Sequence, residues 1–161
     1  MNKDKLAAEY FKKSFFSVDG LWFLKTEADG SFEQALDIDA AVWAVLPKIQ
    51  ARTLQELLGL EQGLSAYRKG LDFKLAAEGF DYEMTENRPE GFSVEIKRCP
   101  WYAHLKKSGR LNILPKIAEK ICPLEITTFA RAFGDGFSVQ YRNVPGDALQ
   151  ECRCFIEAKE G

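Results

Sequence analysis

Four cysteines are the residues of this chain best suited to chemistry, and all lie beyond residue 98: Cys99, Cys122, Cys152 and Cys154. Cys99 and Cys122 are each followed by proline, in Cys99-Pro100-Trp101 and Cys122-Pro123-Leu124. Proline favours the first helical position, because its missing N–H would be unpaired there and its φ is already helical. Each thiol is therefore predicted to be an N-cap, where the partial positive charge of a helix start stabilises thiolate over thiol. Cys152 and Cys154 are two apart in a strand-like segment, so a period of two aims them at one face of a sheet.

Three readings of these thiols stay open. Soft thiolates select zinc or an iron–sulfur cluster, which makes Cys99, Cys122, Cys152 and Cys154 candidate metal ligands, although no Cys-x-x-Cys knuckle is present. A thiolate at Cys99 or Cys122 is also a nucleophile for an electrophilic carbon. The plain alternative is that they are small buried hydrophobes. His104, five residues after Cys99, and Glu125, three after Cys122, are candidates for moving protons beside either thiol. Asp19 interrupts an apolar helical run, and Arg131 or Arg142 would partner it while facing a ligand carboxylate. Trp22, Trp101, Tyr102 and Phe129 read as core aromatics, with Trp22 and Trp101 also candidates for the wall of a ligand site.

The spacing of apolar residues supplies the frame. A long helix runs from Lys3 to about Ala28, and its stretch Phe15 to Leu24 is apolar around most of its circumference, which implies burial on more than one side, by the domain or by a second subunit. Ser31 and Gln34 form a capping box that starts a second helix, which Pro47 kinks or divides before Gly59. Another helix follows from about Gly63 to Ala77, closed by Gly79. The period then changes to two: Phe80, Tyr82 and Met84, a turn over residues 87–91, and Phe92, Val94 and Ile96 make a hairpin. A short helix from Pro100 to Lys107 and a helical stretch from Leu114 to Phe133, restarted at Cys122-Pro123, lead to a second hairpin. Its strands are Phe137 to Tyr141 and Leu149 to Ala158, joined by a turn over residues 144–147. The prediction is an α+β single domain over 1–161: a helical half (1–79) packed on a mainly antiparallel sheet of about four strands in an α+β half (80–161).

Composition narrows the function class. The chain has 161 residues with 22 Lys+Arg against 24 Asp+Glu, a net charge of −2 that lacks the basic excess needed for nucleic acid. No apolar run of signal-peptide or membrane-span type is present, so a cytoplasmic protein with no membrane partner is expected. The reducing cytoplasm disfavours structural disulfides.

Three segments together resemble a known family. Ser17-Val18-Asp19-Gly20-Leu21-Trp22-Phe23-Leu24, Arg98-Cys99-Pro100-Trp101 and Ile121-Cys122-Pro123-Leu124-Glu125 resemble uncharacterised cytosolic proteins of bacteria and archaea. The C-terminal half is similar to the L-2-amino-thiazoline-4-carboxylic acid hydrolase family, and more distantly to the four-vinyl-reductase-type ligand-binding domain. The resemblance places the family's first cysteine on Cys99 and its second on Cys122. Its Gly-(spacer)-Cys-x-Phe element falls on Gly146 to Cys152 or Cys154. It implies a small-molecule-binding protein, with hydrolysis of a C=N bond in a thiazoline-carboxylate-like substrate. The alternatives are a non-catalytic metal or ligand sensor, whose N-terminal helices would pass a signal to a partner, and a structural or interaction protein. A homodimer is expected from the apolar first helix.

Overall fold

A computed structural model describes residues 2–87, 90–143 and 153–161. The chain divides into two compact units, Met1–Ala41 and Val42–Gly161.

The first unit is built on α1 (Lys3–Asp29) and most of α2 (Phe32–Trp43), whose last two residues, Val42 and Trp43, belong to the second unit. The Asn2 side chain caps α1 by accepting from the Asp4 N–H at 3.1 Å, and the Gly30 N–H closes it on the Thr26 carbonyl at 3.0 Å. Ser31 then caps α2 as predicted, its Oγ accepting from the Gln34 N–H at 3.1 Å. Phe23 and Phe32 bring the two helices together, with ring centroids 5.8 Å apart. Phe16 and Phe23 are the buried residues of α1. Trp22 is not a core residue as predicted; it is 72% exposed. At 100° per residue it falls on the arc away from Phe16 and Phe23, together with Tyr10, Phe11, Val18 and Leu21, all exposed.

In the second unit, α3 (Leu46–Leu58) begins afresh after α2, with Pro47 in its first turn, so the proline divides the helical run. Next comes α4 (Leu64–Glu78), bounded by Gly63 and by Gly79, whose φ of 86° is the left-handed conformation that ends a helix without strain only at glycine. The first hairpin is β1 (Asp81–Asn87) and β2 (Gly91–Arg98). Three helices follow: α5 (Pro100–Lys107), α6 (Leu114–Lys120), which is entered by a single 3-10 turn at Leu111–Ile113, and α7 (Cys122–Arg131). The chain ends in β3 (Phe137–Asn143) and β4 (Cys154–Glu160). The predicted turns at 87–91 and 144–147 lie partly and wholly outside the described residues, as do positions 149–152 of the predicted last strand.

The four strands form one antiparallel sheet in the order β1-β2-β4-β3. The fold is α+β, as the periodicity predicts. On one face, Phe92, Val94, Ile96, Ile156 and Ala158 pack with Tyr67, Leu71 and Leu75 of α4 and with Ile126 and Phe129 of α7. The helices α3 and α4, which sequence places in a helical half, share this core with the sheet. The other face carries cross-strand ion pairs: Glu83 with Lys97 at 2.7 Å, Glu157 with Arg142 at 2.8 Å, and Glu95 with Arg153.

Candidate functional site

The helix α4 repeats Tyr67, Leu71, Lys74, Leu75 and Glu78 at helical spacing, so an ammonium and a carboxylate are written into its core-facing stripe. Lys74 is only 4% exposed. Its Nζ donates to Glu78 Oε1 and Oε2 one turn on, at 2.8 and 2.7 Å, and to Glu125 Oε1 of α7 at 2.5 Å. From α3, Gln50 Nε2 donates to Glu78 Oε1 at 3.2 Å. The Phe129 ring lies under the ammonium, 6.0 Å from its centroid. Four polar side chains from three helices thus meet inside the second unit, two carboxylates to one ammonium.

The electrostatics follow from that ratio. Burial alone would lower the Lys74 pKa, but the charges of Glu125 and Glu78 more than reverse it and hold the ammonium charged. Glu78 moves the other way from a paired acid: burial raises it, and the Glu125 charge adds to that against the pull of Lys74. Two nearby polar atoms, Gln50 Oε1 and the hydroxyl of the fully buried Tyr67, have no hydrogen-bond partner among the described residues. Burial also pushes the Tyr67 phenol up, so it stays a neutral O–H.

Of the residues singled out in the sequence, Glu125 belongs to this cluster and Phe129 lines it. Cys122 stands one turn before it on α7, half-buried. It is not the N-cap that Cys-Pro predicted: Ile121 occupies that position, in helical conformation, with Cys122 as the first helical residue and the proline second. The near-continuous run from α6 leaves no extended residue for a cap. Cys99 does occupy the N-cap position of α5, with extended backbone ahead of Pro100, but its thiol makes no capping hydrogen bond and is buried in a separate apolar group with Leu114, against Trp101, Tyr102 and Leu105. Cys154 points into the main core from β4. Cys152 lies outside the described residues. Among the described residues, no group of three or more His, Cys, Asp or Glu side chains is placed to hold a metal.

The remaining candidates are dispersed. His104 is exposed on α5, its ring 6.4 Å from that of Trp101, and partial burial, then the Lys107 charge, lowers its pKa. Trp101 packs edge-on against Trp43 at 6.0 Å. Arg131 is exposed in the last turn of α7, and Arg142 pairs with Glu157 on the outer sheet face. Asp19 and Trp22 belong to α1 of the first unit. Phe129 is fully buried, as predicted. Sequence reading missed Lys74, Glu78 and Gln50.

Fold and cluster together define an α+β protein with a helix-borne, net-acidic polar centre beneath an antiparallel sheet. The chain matches Family of unknown function (DUF6125) over residues 2–157, and it belongs to that family. No curated protein and no solved structure matches it. No helix among the described residues is long and apolar enough to cross a membrane.

Proposed function

We propose that this chain binds a small organic molecule at the Lys74–Glu78–Glu125 centre, and that Cys122 and Glu125 hydrolyse a C=N bond of a thiazoline-carboxylate type of substrate. The observation that supports the reading is the excess of carboxylate over ammonium in that buried cluster, one helical turn from a thiol. A thiazoline C=N bearing an amino group is a base, and its protonated form is both cationic and electrophilic at carbon. Two carboxylates facing one ammonium favour that cation over the neutral ring. In this reading Cys122 attacks the C=N carbon. Glu125 then gives a proton to the ring sulfur as its bond to that carbon breaks, takes one from the water that adds to the same carbon, and passes it to the Cys122 sulfur as that bond breaks in turn, releasing the ring-opened urea product and the free thiol. Lys74 holds Glu125 in place, and Gln50 and Glu78 hold Lys74.

The test is incubation of the full chain with 2-amino-thiazoline-4-carboxylate, following ring opening by proton NMR. Ring opening by the wild type, abolished in Cys122→Ser and Glu125→Gln variants that keep their circular dichroism, is the expected result. No ring opening and no thermal shift at millimolar compound would overturn the reading. The division into two compact units favours a second reading, a ligand sensor whose helical unit reports occupancy. It is supported if the compound raises the melting temperature while remaining intact.

A further inference from the structure

We infer that α1 is the interface of a homodimer, its exposed side pairing antiparallel with α1 of a second copy about a two-fold axis at the level of Phe16 along the helix. The helix has two apolar sides: one carries the buried Phe16 and Phe23, the other exposes Tyr10, Phe11, Val18, Leu21 and Trp22. Trp22, Phe11 and Tyr10 are each about two-thirds exposed or more. With aromatic side chains burying roughly 150–250 Å² each, the stripe offers about 600 Å² per copy, or about 1,200 Å² for two. That total reaches the lower bound of about 1,200 Å² for a specific, stable interface.

Charge and spacing select a second copy as the occupant. The first half of α1 carries Lys3, Lys5, Lys12 and Lys13 against Asp4 and Glu9, a net positive charge. The second half carries Asp19, Glu27 and Asp29 against Lys25, a net negative charge of the same size. An antiparallel pair therefore lays each half on its opposite, whereas a parallel pair would oppose like charges. The apolar stripe reads nearly the same from either end: about the level of Phe16, Tyr10 faces Trp22 and Phe11 faces Leu21. The same operation sets Lys3 against Asp29 and brings Lys25 within one turn of Asp4, all four exposed. A surface that is self-complementary under a two-fold rotation is what an isologous dimer requires. The interface lies on the first unit and leaves the Lys74 cluster untouched, so it holds whether or not the proposed hydrolysis does.

Sedimentation velocity of the full chain at micromolar concentrations is expected to show a dimer. Phe11→Glu/Trp22→Glu is expected to be monomeric with unchanged circular dichroism. A charge exchange tests the register without touching the apolar stripe. Lys3→Glu, which opposes two acids at both ends of the pair, is expected to weaken dimerisation roughly three- to tenfold, as two exposed ion pairs allow. Lys3→Glu/Asp29→Lys is expected to restore it. A monomeric wild type, a dimer that survives the Phe11/Trp22 replacement, or a double exchange that fails to restore affinity would each overturn the assignment.

Discussion

Replacing Lys74 with methionine keeps the length of the side chain and removes the one positive charge between Glu78 and Glu125. The side chains of these residues are 3%, 14% and 10% exposed, so solvent does little to screen what is left. Breaking a buried ion pair by removing one partner costs about 3–5 kcal/mol. The carboxylates set an independent ceiling, because a stranded acid can escape by taking a proton. At pH 7, with an ordinary Glu pKa near 4.3 and 1.36 kcal/mol per unit, that costs about 3.7 kcal/mol for each, or about 7 kcal/mol for both. Lys74→Met is therefore expected to lose about 3–5 kcal/mol at pH 7. With a urea slope near 2 kcal/mol/M, the unfolding midpoint should fall by about 1.5–2.5 M. At pH 5 protonation costs only about 1 kcal/mol per acid, so the loss should shrink to about 1–2 kcal/mol. The sign follows from linkage: an acid buried without a counter-charge holds a proton more readily than it does in the unfolded chain, so the variant's stability is fully present below the ordinary Glu value and lost as pH rises. Adding Glu78→Gln and Glu125→Gln should recover most of the loss at pH 7. Urea melts at the two pH values decide the matter. A loss under about 1 kcal/mol at pH 7, or one equal at both pH values, would refute the claim that Lys74 neutralises buried charge.

Two further outcomes follow from the same geometry. Glu78 has a raised native pKa, so its contribution is present below the ordinary Glu value and declines as pH rises through the native one. Glu78→Gln should remove that decline, and melting temperatures of wild type and variant should converge or cross between pH 4 and 7 rather than run parallel. Gly70→Ala should destabilise α4 against the core by about 1–3 kcal/mol despite alanine's better helix propensity. A Cβ there would meet the Phe133 ring at 2.6 Å, and that ring is fully buried. A variant as stable as wild type in denaturant melts would show that the ring can move aside.

The elements were legible where local chemistry decides them. Ser31 with Gln34, Gly63 and Gly79, and the alternation of Phe92, Val94 and Ile96 each state a boundary or a face on their own, and the helices and strands begin and end there. The site was legible only in part, because its charges change meaning on packing. Lys74 and Glu78 at a spacing of four look like an ordinary solvent-exposed helix pair. The signal against that reading is that they continue the stripe of Tyr67, Leu71 and Leu75, and it takes Glu125, contributed by a distant helix, to make the ammonium tolerable there. Cys122-Pro123 misled for a related reason: the same dipeptide opens a helix where the cysteine is extended, as at Cys99, but continues one after a helical residue, as at Ile121. Trp22 reads as core because hydrophobicity alone does not say which side of a helix is buried, and the structure leaves it exposed.

The sheet is made of two local hairpins joined by a single non-local seam, β2 against β4, with everything from α5 to β3 threaded between them. Each hairpin can form from neighbouring sequence, but the seam must wait until a long loop has closed, and such closures dominate folding times. During that wait β2 and β4 are both bare edges, and β2 displays Val94 and Ile96 beside unpaired backbone groups. Assembly is therefore expected to be slowest and most aggregation-prone at the seam, with helix α7, which packs Ile126 and Phe129 against the sheet, acting as the clamp that brings its two halves into register before another chain does.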